Sequence, residues 1–248
     1  MWMCSNRLRL NQSKTEFLWC TMRRWLQLLD NSPIQLGTNA SVVSSTTVRN
    51  LGVFIDQSLT MTSHINIRAG WCFQSLRQLR TIRRSLALDA VRMLVSRLVM
   101  SRIDYCNCIL AGLPAHSIAR LQSVLIAGAR VIHQRRKFDH ITDVPRNDLH
   151  WLPAAQRIQF KLYLTAFKAL HNLAPTYISN MCIAPTSAHS GHRLRSTDDT
   201  KLDVPRTKTE FGKSVYCLWP INVAHITNIN MQCTYNWNLQ NCIENSFI

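Results

Sequence analysis

Three apolar stripes at helical spacing, all between residues 64 and 133, leave this chain few choices of fold. In the first, Ile65, Ala69, Cys72, Phe73, Leu76 and Leu79 recur every three or four residues, while Arg77, Arg80, Arg83 and Arg84 lie off the stripe. The second runs through Leu86, Ala90, Val91, Leu94, Val95, Leu98 and Val99, with Asp89 in the first turn. Gly112-Leu113-Pro114 then breaks the chain, and a third helix over about residues 116–133 stacks Ile118, Leu121, Val124, Leu125 and Ile132. Each stripe needs a partner to cover it. Short loops make the three helices neighbours, so a three-helix bundle satisfies every stripe at once.

The flanks differ. Residues 14–56 read as β structure: an apolar run in Thr15–Thr21, then Ile34–Leu36, a turn at Gly37-Thr38-Asn39, Val42-Val43, and a run from Val48 to Asp56 with Gly52 inside. A glycine within a strand signals a bulge or the close approach of another backbone. A small antiparallel sheet is expected here. A fourth helix is predicted from Trp151-Leu152-Pro153, since proline suits a first helical turn. It would bury Ile158, Leu162, Ala166, Ala169 and Leu170 and end before Ala174-Pro175. Beyond Ala184 the pattern weakens into a basic, loop-rich tail. The fold class that follows is α+β, mainly α-helical, with a small N-terminal antiparallel β-sheet, a three-helix bundle and a helical C-terminal extension. Only 7 glycines and 8 prolines in 248 residues agree with so much regular structure.

Charge narrows the partners. With 29 Lys and Arg against 13 Asp and Glu the formal charge is +16, a field that favours polyanions, chiefly nucleic acid. Arg77, Arg80 and Arg84 recur on one helix face, and Arg83 widens the row. Arg92 and Arg97 follow on the second helix, and Arg130, Arg135, Arg136 and Lys137 close the third. A row at this spacing can follow a phosphate backbone. A merely solvated face usually carries both signs, yet no acidic residue lies between His64 and Ser85. Trp71, Phe73 and Trp151 can stack on bases, but their apolar neighbours favour core packing. No membrane partner is expected: Asp89, Arg92 and Arg97 interrupt the most apolar stretch, Leu86–Met100, and Met1–Leu10 lacks the apolar segment of a signal peptide. The 9 cysteines form no C-x-x-C pair, and Cys106-x-Cys108 is a poor zinc clip. Reduced thiols in an intracellular protein, nuclear or cytoplasmic, are the expectation.

Chemistry is harder to find. The single Asp-Asp pair, Asp198-Asp199, has polar flanks and reads as a solvated loop. His189-x-x-His192 has no cysteine pair nearby to complete a metal site. No P-loop, G-x-S-x-G, H-E-x-x-H or Rossmann glycine pattern occurs. No small-molecule substrate is indicated, and no catalytic or metal-binding residue is assigned.

Several blocks in fixed order carry a resemblance. Asn6 to Leu18 has the form N-x-L-x-L-N-x-x-K-T-E-F-L, and Val48-Arg49-Asn50-Leu51-Gly52-Val53-Phe54-Ile55-Asp56 is followed by Met61-x-x-His64-Ile65. Ser101-Arg102-Ile103-Asp104-Tyr105-Cys106-Asn107, Ala111-Gly112-Leu113-Pro114, Leu121–Leu125, His150-Trp151-Leu152-Pro153 and Ala174-Pro175 continue the order. Together they resemble the part of non-LTR (LINE-type, jockey-like) retrotransposon reverse transcriptases that follows the catalytic aspartates. The likeness runs from about Asn6 to Arg206. The family's closing W-N-x-L-P motif is only echoed in Leu218–Asn222, and the tail after His225 matches nothing in it.

The resemblance implies an RNA-directed DNA polymerase fragment, with the catalytic aspartates, and the Mg2+ they hold in the complete enzyme, lying before Met1. Residues 1–60 would be a palm remnant with a β-hairpin, 61–137 a thumb-like bundle, 138–184 a helical extension and 185–248 a basic, partly disordered tail. Lys14 would stand at the lysine that follows the catalytic hairpin, although without the aspartates it has no leaving group to protonate. Leu51 and Gly52 would fall in the turn that grips the primer, where glycine permits close approach of a sugar-phosphate backbone; an ordinary β-bulge is the other reading of Gly52. The implied partners are RNA and DNA as template–primer duplex. Two alternatives remain: a non-enzymatic helical interaction module and a translated, non-functional transposon relic.

Overall fold

The computed structural model describes residues 5–8, 11–21, 23–29, 32–36, 40–136, 138–141, 144–171 and 173–180. Among these the chain is α+β and mainly helical, with two small antiparallel sheets in place of the one expected. Strands β1 (Ile34–Leu36) and β2 (Ala40–Val42) pair with Ile34 opposite Val42. Strands β3 (Thr47–Asn50) and β4 (Val53–Asp56) pair with Thr47 opposite Asp56 and Asn50 opposite Val53. The run from Val48 to Asp56 is therefore a hairpin and not a single bulged strand. Leu51 and Gly52 form its two-residue turn, with φ of 45° and 81°. Two positive φ values match the type I′ turn, whose twist suits antiparallel strands. The strand expected over Thr15–Thr21 reduces to one parallel bridge, Phe17 with Ser44, before a helical turn at Arg23–Leu26. The turn expected at Gly37-Thr38-Asn39 lies outside the described residues.

Helices form at all three stripes: α1 (Thr62–Ile82), α2 (Leu88–Val95) and α3 (Ala115–Ile132). The second does not stop at Val95. Ser96–Met100 continues it as a π-type turn and Ser101–Asp104 as a last α turn. A π turn shifts the phase of everything after it. Val99, Met100 and Ile103 are all buried, while Arg102 crosses to α1 and donates to Ser75 Oγ at 2.8 Å. The shared core is built from Ile65, Ala69, Cys72, Leu76 and Leu79 of α1, Val91 and Val95 of α2, and Leu121, Val124, Leu125, Ala129 and Ile132 of α3. Gly128 lets two side chains come close: a Cβ there would meet Val95 Cγ1 at 3.3 Å and the Trp151 indole at 3.5 Å. Trp151 is thus a packing residue, as its apolar neighbours suggested.

The entry to α1 is fixed by Asp56. Its carboxylate accepts from Thr60 Oγ1 at 2.6 Å, Met61 N at 2.8 Å, Thr60 N at 3.0 Å and Ser58 Oγ at 3.1 Å. Burial pushes the Asp56 carboxyl up, but these donors outweigh it and hold the group below its ordinary value. One turn later, buried His64 accepts the Phe54 N–H on Nδ1 at 3.2 Å, tying β4 to the helix. Burial, and then the Arg68 charge, push His64 down to about 4, so it is neutral near pH 7.

The chain divides into two compact units, residues 1–106 with 113–154, and residues 107–112 with 155–248. The hairpin and helices α1–α3 lie in the first unit. The second contains most of α4 (Ala154–Leu170), where Ile158, Ala166 and Ala169 are buried, and a turn at Thr176–Ser179. The tail expected over 185–248 lies outside the described residues. Among the described residues no helix is long and apolar enough to cross a membrane.

Candidate nucleic-acid interface

One face of α1 buries His64, Ile65, Ala69, Cys72, Ser75, Leu76 and Leu79. Arg77 and Arg80 project from it elsewhere and are exposed, as is Arg84 in the 3-10 turn Arg83–Ser85 that follows. No acidic residue occurs in α1 to neutralise them. Arg83 is a correction. It is buried, and its guanidinium donates to three carbonyls: Val131 O from Nε at 3.1 Å, Leu86 O from Nη1 at 3.1 Å and Ile132 O from Nη2 at 2.8 Å. The last four carbonyls of a helix have no partner of their own, and Arg83 satisfies two of them on α3. Its place in the charged row made it look like its neighbours, but it follows Leu79 by four residues and so continues the buried face of Ile65, Ala69, Cys72, Leu76 and Leu79.

Of the third set, Arg135 and Arg136 are exposed and Arg130 is half-buried, while the side chain of Lys137 lies outside the described residues. The loop carrying them is braced. Arg135 N–H donates to Arg130 O at 3.0 Å, Arg136 N–H to Asp139 Oδ2 at 2.8 Å, and Arg130 Nη2 to Asp139 O at 3.3 Å. Arg92 is exposed but lies 3.7 Å from Asp89, one turn back on α2, which offsets its charge. Arg97 is exposed on the π turn.

At the hairpin tip Leu51 is 84% exposed in a left-handed conformation that L-residues with a Cβ disfavour. Two side chains hold the turn. Tyr105 Oη donates to Leu51 O at 2.6 Å, and Arg68 Nη2 donates to Gly52 O at 2.9 Å. Arg68 also lies over the rings of Tyr105 and Trp71, at 5.0 and 5.5 Å from their centroids. Trp71 meets Phe54 edge-on at 6.0 Å, and Arg49 lies over the same Phe54 ring at 5.7 Å. Sequence reading singled out Leu51 and Gly52 but missed Arg68 and Tyr105. The available signal was Arg68 on the flank of an otherwise apolar stripe. Lys14 is exposed and ends the short turn Gln12–Lys14.

Burial pushes the Cys72 thiol up to about 11, against the opposing pull of Arg102 and Arg68, and Cys20, Cys72 and Cys106 are free thiols. Among the described residues no group of three or more His, Cys, Asp or Glu could hold a metal ion. Asp198-Asp199 and His189-x-x-His192 lie outside the described residues. Comparison with known proteins gives no match to a family model, a curated protein or a solved structure.

Proposed function

We propose that this chain binds RNA and DNA through their phosphates, without reading sequence, as the thumb-like part of a non-LTR retrotransposon reverse transcriptase. One observation supports this above the others: Arg77 and Arg80 on α1 and Arg84 in the turn that follows are all exposed, and no acidic residue occurs in that segment. Such a row gains affinity by releasing counterions from the polyanion. The ligand class is template–primer duplex, with α1–α3 as the thumb-like bundle and α4 as the helical extension. The hairpin turn at Leu51–Gly52 would lie against the primer strand. Affinity in the micromolar range or weaker is expected, falling steeply with salt. The resembling blocks include no pair of catalytic carboxylates, so metal-dependent nucleotide addition by the pure protein would contradict this reading.

The test is a titration of a labelled RNA–DNA hybrid with the wild type and with Arg77→Glu/Arg80→Glu/Arg84→Glu. Loss of binding in a variant that keeps its helical circular dichroism supports the proposal; unchanged affinity removes its main support. A helical interaction module is the second reading, favoured by apolar side chains left exposed on α2, Leu88 at 42% and Met93 at 65%. In that case the triple variant would lose no partner.

A further inference from the structure

Two arginine groups far apart in sequence meet at one end of the first unit. Arg83 reaches from the turn after α1 to the last carbonyls of α3, so both helices end side by side. α2 returns between them: it starts beside this end, and Tyr105 beyond its last turn reaches the hairpin tip. Each helix C-terminus carries about half a negative charge. The two ends together thus carry roughly one negative unit, and buried Arg83 alone offsets it. Arg80, Arg84, Arg135 and Arg136 are all exposed around this end and are surplus to that need. Among the described residues Asp139 brings an acidic side chain into the loop, where it accepts the Arg136 backbone N–H. Arg130 Nε, an obligate donor in the last turn of α3, is buried without an acceptor among the described residues. An excess of cationic donors beyond what the dipoles require calls for an anion.

We infer that Arg80 and Arg84 of the α1 end and Arg135 and Arg136 of the α3 end form one site for a single phosphate backbone. This inference rests on the nucleic-acid reading above and adds where the strand runs: off the α1 face, across the joined helix ends, and onto the loop after α3. Arg92 and Arg97, on α2, are outside it.

The experiment is a fluorescence-anisotropy titration of a labelled RNA–DNA hybrid with the full chain over a series of KCl concentrations. Circular dichroism on each sample confirms the fold. The wild type should give one 1:1 isotherm. Arg80→Gln/Arg84→Gln and Arg135→Gln/Arg136→Gln should each reduce the steepness of log K against log salt by about 1.8, since each lost phosphate contact removes about 0.9. Arg120→Gln, exposed near the opposite end of α3, should leave it unchanged. If the Arg135/Arg136 variant keeps the wild-type slope while the Arg80/Arg84 variant loses it, the joint site is wrong and the α1 row alone binds. If the wild type ignores the hybrid, the nucleic-acid reading falls and the site falls with it.

Discussion

Replacing Arg83 by methionine keeps most of the side chain's length and apolar stem but removes the guanidinium. Three carbonyls then lose their donors, and two of them, Val131 O and Ile132 O, belong to the end of α3. A buried acceptor left unsatisfied costs about 1–3 kcal/mol, and bonds from a charged donor lie in the upper part of that range. Loss of the cation beside helix C-termini adds about 0.3–1 kcal/mol or more. Against this, methionine removes the desolvation penalty of a buried charge, and a carbonyl near the surface regains water. A net loss of about 3 kcal/mol follows, which for a unit of this size lowers the midpoint of thermal unfolding by roughly 6–12 °C. The assay is urea unfolding followed by far-ultraviolet circular dichroism, with Arg84→Met as control. Arg84 is exposed, and its loss should cost within about 0.5 kcal/mol. Arg83→Lys should fall between them, because an ammonium keeps the charge without the three-way fork. If Arg83→Met and Arg84→Met unfold at the same urea concentration, the buried clamp is not what joins α1 to α3.

Three further outcomes are expected. Gly52→Ala forces a Cβ into a residue with φ of 81°, although its nearest contacts, at 3.6 Å or more, leave room; a cost of about 1–2 kcal/mol by urea unfolding would be purely conformational. Gly70 has nothing within 4 Å of an added Cβ and sits inside α1 with ordinary helical φ, so Gly70→Ala should stabilise by about 1 kcal/mol in the same assay; destabilisation would contradict the exposed helical setting. Tyr105→Phe removes one hydrogen bond to the hairpin tip and should cost about 1 kcal/mol, with faster hydrogen exchange across β3 and β4 as the local readout.

The fifth prediction concerns acid. His64 is held down to about 4 in the fold against 6.5 in the unfolded chain. Between those values the unfolded state binds the extra proton, so stability is full above about pH 6.5 and falls as pH drops towards 4. At about 1.4 kcal/mol per unit the loss approaches 3 kcal/mol. Asp56, held below its ordinary value, adds a further loss at lower pH still. His64→Gln should flatten unfolding free energy between pH 6.5 and 4; an unchanged profile would show that His64 does not titrate as its burial requires.

The helices were legible because an apolar stripe at a 3.6-residue period has only one regular structure that buries it, whatever the partner. Proline was the signal for α4: a start at Trp151-Leu152-Pro153 was expected, and the helix begins just after it, at Ala154. Strands gave a weaker signal. The run Val48–Asp56 is apolar enough to be one strand; apolarity did not separate the two strands, and only the resemblance put a turn at Leu51-Gly52, where Asn50 pairs with Val53. A left-handed leucine cannot be foreseen from propensity, since it persists only because Tyr105 and Arg68 grip the turn from α2 and α1.

For the interface, sequence alone determined charge: how many arginines, at what spacing, and with no acid among them. It left open which of them would meet protein acceptors. Arg77, Arg80, Arg83 and Arg84 look alike as charges, yet Arg83 follows Leu79 by four residues on the buried face and reaches the α3 carbonyls, while the other three are exposed. Local sequence determines periodicity because neighbours along a helix are fixed by its pitch. Which guanidinium is buried depends on the carbonyls of another helix ending beside it, and only the tertiary structure supplies those.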